Sequence, residues 1–218
     1  MTRRVRSLML AALCGVALLV AGGVRQAGAQ QPARSAPETR IYMMRGLFGI
    51  FSTGIDSLAK RLRDAGYNPR IFPWDQWGEI ASDILDNSRA GDTGQIILIG
   101  HSLGSDSTIQ VANAVQQANI PIDLIVTFDI TQPLQVPRNV QRFINFFQHN
   151  GFGTEAVPGY GFSGELQNIN LTSDKSIGHG NIDEIPQLQQ LVVQKIFDIA
   201  FEQSKQPSAR KRRVKPIS

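Results

Sequence analysis

The sequence predicts an α/β protein built on a doubly wound, mostly parallel sheet of about six strands flanked by helices. Two observations carry that expectation. Apolar runs of about four to eight residues alternate with longer segments of helical spacing, the order expected when helices cover both faces of a parallel sheet. The most apolar run, Gln95 to Ile99, also leads through "GHSLG" (residues 100–104) straight into a helical pattern. No internal repeat is visible.

Ile41 to Met44 is a short first strand, followed by the Gly-rich "RGLFGIFSTG". A helix starts near Ile55 with Ile55, Leu58, Ala59 and Leu62 on one face, and Gly66 closes it. Asn68 to Trp74 reads as a second strand, and Glu79 to Arg89 as a helix with Ile80, Ile84 and Leu85 turned inward. Gly91-Asp92-Thr93-Gly94 turns into the strand Gln95 to Ile99, and a helix from Leu103 to Ala118 points Ile109, Ala112 and Val115 at the sheet. Pro121 to Phe128 and Val140 to Phe147 are further strands. "HNGFGTEAVPGYGFSG" after them, with five glycines, is a loop. Glu165 to Leu171 is a last strand, and the final helix, Asp183 to Ser204, carries Ile185, Leu188, Leu191, Val192, Ile196 and Ile199 as its buried stripe.

The first residues stand apart from this pattern. Arg3, Arg4 and Arg6 precede an apolar run from Leu8 to about Gly22, and Ala27-Gly28-Ala29 matches the small-residue cleavage rule, so 1–29 reads as a secretory signal peptide. The run is short for a membrane span, and Leu13 before Cys14 argues against a lipoprotein site. Residues 30–39 are a linker, 40–204 the folded domain and 205–218 a basic tail. The expected location is periplasmic or secreted. Removal of the leader leaves no cysteine, so the domain relies on its core rather than on disulfides.

Charge is distributed unevenly. The chain has 22 Lys and Arg residues against 18 Asp and Glu, yet residues 30–204 hold 12 basic and 18 acidic residues. The body is therefore net negative, and no nucleic-acid partner is expected. The tail "KQPSARKRRVKPIS" reads as a solvated disordered end, with weak attraction to an anionic surface as its sharper alternative. Asp83, Asp86 and Asp92 look like a solvated face. The sequence has no G-x-x-x-x-G-K-[ST], no H-E-x-x-H and no cysteine pair, so neither nucleotide nor zinc chemistry has support and no cofactor or metal is expected.

Gly100-His101-Ser102-Leu103-Gly104 fits G-x-S-x-G, in which a serine sits on a sharp strand-to-helix turn. The alternative is a serine that only caps the helix. A serine hydroxyl needs a base in hydrogen-bond reach and a third group that orients the base. Of the three histidines, His101 should point away from the serine and pack. His179, in the loop before the last helix, is the preferred base, with His149 the rival. Asp129 ends a strand at the sheet's carboxyl edge and is the preferred acid, against a role in starting the turn into Thr131-Gln132-Pro133; Asp174 is the rival acid. The oxyanion donors expected are the backbone N–H groups of Leu103 and of Leu47, with Phe48 close behind.

"GHSLG", the "RGLFG" loop and the late "HGNID" together resemble the α/β-hydrolase superfamily, in particular its small secreted lipase-like and thioesterase-like members, over residues 40–203. The resemblance implies a compact hydrolase fold without a large cap, a Ser102–Asp129–His179 triad and an oxyanion hole at Leu103 and Leu47. Two features depart from the common pattern. Arg45-Gly46 stands where His-Gly is usual, and the acid follows the strand next after the nucleophile strand, as in some lipases.

The expected activity is that of an exported serine esterase acting on a small-molecule or lipid-like ester or thioester through an acyl-enzyme on Ser102. A non-catalytic binder on the same fold and an amidase or peptidase are the alternatives. Phe48, Phe51, Phe152, Tyr160 and Phe162 are candidates for an apolar wall beside Ser102, and a monomer is expected.

Overall fold

Alternation of side chains along buried strands decides how this sheet is covered. The computed structural model describes residues 39–47, 53–92 and 94–205. The expected signal peptide, Phe48, Phe51 and nearly all of the linker and basic tail lie outside the described residues. In chain order the elements are β1 (Arg40–Arg45), α1 (Thr53–Asp64), β2 (Arg70–Pro73), α2 (Trp77–Arg89), β3 (Ile96–His101) and α3 (Leu103–Gln116). Then come β4 (Leu124–Phe128), β5 (Gln135–Val136), β6 (Arg142–Phe147), β7 (Val157–Pro158), β8 (Glu165–Asn170) and α4 (Pro186–Lys205). Six strands form one sheet in the order β2-β1-β3-β4-β6-β8, and every neighbouring pair is parallel.

Successive strand residues point to opposite faces, so each central strand feeds two apolar layers. Ile41, Met43, Ile97, Ile99, Val126 and Phe146 pack on one face with Ile55, Leu58 and Leu62 of α1 and Leu188, Val192 and Ile196 of α4. Tyr42, Met44, Ile96, Leu98, Ile125 and Phe143 pack on the other with Ile80 and Ile84 of α2 and Ile109, Ala112 and Val115 of α3. Each fully buried aliphatic side chain in these layers contributes about 1.5–3 kcal/mol relative to exposure. This is a doubly wound α/β sheet.

From β1 the chain steps outward to β2, then returns past β1 to β3 and continues the other way. The strand order therefore reverses between β1 and β3, and in open α/β sheets the crevice at such a point, beyond the carboxyl ends of the strands, is where ligands bind. Register aligns those ends: Met44 is level with Gly100, His101 with Phe128, and Phe128 with Phe146. The residues that follow each strand consequently meet along one edge.

Several boundaries differ from the sequence reading. Strand β2 is shorter than expected because Trp74–Gln76 already form a 3₁₀ turn, and α2 begins at Trp77. The final helix starts at Pro186, whose fixed φ suits the first helical position, after a separate 3₁₀ turn over Ile182–Glu184. Leu191, expected in its buried stripe, is 56% exposed. The loop after β6 is not wholly irregular, since β7 pairs with β5 in a second, two-stranded parallel sheet.

Candidate active site

Ser102 follows β3 with φ 57° and ψ −127°, a conformation few non-glycine residues adopt. The turn is made possible by close backbone approach. A Cβ on Gly100 would overlap the main chain of Gly104 and Ser105, and one on Gly104 would overlap the carbonyls of Met44 and Arg45. Both glycines of the G-x-S-x-G string are therefore fixed by packing, and α3 starts hard against the end of β1. Ser105 Oγ strengthens the turn, its one proton shared between the carbonyls of Gly100 and Phe128 at 2.8 and 3.0 Å.

The Ser102 side chain makes no capping bond to α3. Its hydroxyl lies 2.9 Å from His179 Nε2, while His179 Nδ1 lies 2.7 Å from Asp129 Oδ2. In this line Ser102 O–H donates to Nε2 and Nδ1–H donates to the carboxylate. Asp129 is fully buried and also has positive φ, 61°. Its Oδ1 accepts the Gln148 main-chain N–H at 3.1 Å, and its Oδ2 accepts Gln148 Nε2 at 3.4 Å. The carboxylate thus faces donors on two sides besides the histidine.

The rival residues make other contacts. The turn after β4 is tied not by Asp129 but by Asp106 of α3, whose carboxylate accepts from the Thr131 main chain at 3.1 Å and from its hydroxyl. Burial pushes the Asp106 carboxyl above its usual range, against those bonds. Asp174 is committed to Ser176, accepting its N–H at 3.0 Å and its hydroxyl at 2.6 Å. The His149 ring stands edge-on to Phe147, and its main-chain N–H donates to Thr172.

Leu103 is the first residue of α3, where backbone N–H groups have no partner within the helix. Leu47 stands in the turn after β1, 44% exposed, two residues beyond the strand end that abuts Gly104. Arg45 turns to α1: its guanidinium grips Asp56 with two bonds of 2.5 and 3.2 Å. Such an exposed pair contributes little stability but fixes where the strand end points. Phe152 lies edge-on to His179 with ring centroids 5.2 Å apart, and Tyr160 is almost wholly exposed. Phe162, expected in the wall, packs instead against the α2/α3 layer of the core.

The sequence reading missed two residues. Gln148 is buried and gives Asp129 its main-chain N–H and its side-chain amide; its place immediately after β6, the strand paired with the one that ends at the acid, is the signal that identifies it. Asp183, fully buried four residues after His179, accepts the Ile55 N–H at the start of α1 at 3.0 Å. Burial raises its carboxyl to about 7. Among the described residues no group of three or more His, Cys, Asp and Glu side chains is placed to hold a metal ion.

Fold and site together define a doubly wound α/β protein with a serine, a histidine and a buried aspartate in one hydrogen-bonded line at the carboxyl edge of the sheet. No protein-family model matches the sequence, and no curated protein matches it. Among solved structures, a protein from Xanthomonas campestris pv. campestris assigned as a hydrolase of the alpha/beta superfamily is similar, at 14% identity over 77% of this chain and 99% of that one, with a TM-score of 0.43. That likeness is too slight to bear on activity.

Proposed function

We propose that this chain is an exported serine hydrolase that cleaves a carboxylic ester or thioester through an acyl-enzyme on Ser102. The observation that carries the reading is the unbroken line Ser102 Oγ, His179 Nε2, His179 Nδ1, Asp129 Oδ2, with spacings of 2.9 and 2.7 Å. Neither a helix cap nor a surface histidine requires that arrangement.

His179 Nε2 takes the hydroxyl proton as Ser102 Oγ attacks the substrate carbonyl carbon. The imidazolium that forms is stabilised by the buried Asp129 carboxylate, which orients the ring and itself stays ionised. The Leu103 and Leu47 N–H groups receive the developing oxyanion, a contribution of about 10²–10³ in rate per donor. Collapse expels the alcohol or thiol, which takes its proton from Nε2. Water, deprotonated by the same nitrogen, then attacks the acyl-enzyme and releases the acid.

An apolar, lipid-like acyl group suits the exposed Phe152 edge-on to His179, with the exposed Leu47 in the turn after β1 as a second apolar contact. The protein acts as a monomer outside the cytoplasm, its basic tail a solvated end. A fluorophosphonate probe tests the reading: wild type is labelled and Ser102→Ala is not. Absence of labelling in folded wild type would favour a non-catalytic binder. Peptide anilides turned over faster than p-nitrophenyl esters would mark an amidase instead.

A further inference from the structure

His179 is held on two sides, and only one of them belongs to the proton path. His101, the residue before Ser102, is 1% exposed. Its Nε2 lies 2.8 Å from the main-chain oxygen of His179, and the two imidazole centroids are 5.1 Å apart. A carbonyl only accepts, so the proton of His101 is on Nε2. Two consecutive residues of one turn therefore both grip the base, Ser102 at its ring and His101 at its backbone.

The loop needs such a grip. His179 is flanked by Gly178 and Gly180, and a Cβ built on either meets nothing within 4 Å. Glycine there is not forced by crowding, and it leaves the main chain with more freedom than any other residue would. Downstream the loop is pinned at Asp183, whose carboxylate takes the Ile55 N–H and whose carbonyl takes Gln189 Nε2 at 2.7 Å. Upstream, Gly178 N–H donates to Asn181 Oδ1 at 2.7 Å, a bond internal to the loop. The bond from His101 ties the main chain of the base itself to the sheet.

We propose that His101 is a positioning residue for the base, holding the His179 main chain so that its ring keeps contact with Ser102 and Asp129 together. This rests on reading those three residues as a triad. Burial lowers the His101 pKa to about 4, so it remains a neutral donor where the base works. A misplacement of about 1 Å in a reacting group can cost about 10²-fold in rate.

His101→Leu removes the donor; His101→Gln offers an amide N–H of similar reach. With active sites counted by fluorophosphonate titration, His101→Leu should lower kcat and the labelling rate about 10- to 100-fold with KM within about twofold, the range set by misplacement. The low-field proton resonance of His179 Nδ1–H on Asp129 should shift or broaden. His101→Gln should restore most of both. Unchanged kcat per titrated site and an unmoved resonance in His101→Leu, whatever its melting temperature, would overturn the proposal. If His101→Leu does not fold, His101→Asn, whose amide is too short to reach the carbonyl, takes its place under the same criteria. Failure of wild type to label sinks the hydrolase reading alone, because the resonance still reports whether His101 holds the base.

Discussion

Gly153 lies so close to Asp129 that a Cβ added to it would overlap carboxylate Oδ1 and approach the Gln148 carbonyl to 2.6 Å. The loop after β6 therefore closes over the buried acid with only a hydrogen atom to spare. Neither neighbour can yield cheaply, one being held by Gln148 and His179 and the other being main chain. Gly153→Ala should lower stability by about 1–3 kcal/mol, the usual cost of overpacking, and lower esterase kcat as the carboxylate is displaced from His179. Thermal melts and p-nitrophenyl ester kinetics on one preparation check both; wild-type kcat in the variant would mean the loop moves freely off the acid.

The two candidate acids separate by substitution. Asp129→Asn keeps the shape but cannot stabilise the imidazolium, and it favours the wrong tautomer, so kcat should fall by about 10⁴. Asp174→Asn should leave kcat within about twofold, because an exposed carboxylate bonded, among the described residues, to Ser176 gives local turn support of the order of a surface contact. Steady-state rates of the pair settle it. A large loss at Asp174 with Asp129→Asn near wild type would reverse the assignment.

Much of this site was legible in the sequence because each member is anchored to a strand end. An apolar run followed by G-x-S-x-G specifies the turn at Ser102, and "DLIVTFD" places Asp129 one strand over at the same edge. The helix stripes at Ile55–Leu62 and Ile109–Val115 follow from the 3.6-residue period and both are buried as expected. What the sequence could not reveal depends on contacts between distant segments. The pairing of β5 with β7 joins two-residue strands about twenty positions apart, too short to show a period. Gly153 reads as one loop glycine among several until Asp129 is found beneath it. The local string assigns His101 to packing, since it says nothing of a carbonyl 78 residues away. Leu191 fits the helical stripe, yet it sits at the margin of the face α4 turns to the sheet and is exposed, while Val192, Ile196 and Ile199 of the same stripe are buried.

His101 and Asp183 bias stability in opposite directions as pH changes. Burial raises Asp183 from 3.8 to about 7, so the folded chain keeps a proton the unfolded chain has released; this contribution is fully present below about pH 4 and is lost as pH rises to 7. Burial lowers His101 from 6.5 to about 4, so its contribution is present above pH 6.5 and lost as pH falls toward 4. Between those values the two slopes oppose each other in wild type. Asp183→Asn removes one of them. The melting temperature of Asp183→Asn minus that of wild type should therefore climb steadily from pH 4 to pH 7 and level off above. A difference that stays constant with pH would show that Asp183 is ionised throughout in the folded protein.

Phe152 offers the most direct handle on substrate choice. The residue is 69% exposed, yet its ring stands edge-on to His179, so under the proposed hydrolase reading it borders the path of the acyl group. Removing it takes away an apolar surface without touching the hydrogen bonds of Ser102, His179 or Asp129. Apolar contact of this kind contributes about 25 cal/mol per Å² buried, and it grows with every methylene the chain lays against the ring. Phe152→Ala should leave kcat/KM for acetate esters near wild type while lowering it progressively from butyrate to octanoate esters. A p-nitrophenyl ester series of rising chain length reads this as a change of slope. Equal losses at every length would instead mean that the ring supports His179, and longer acyl chains would then have to lie along the Leu47 side of the crevice.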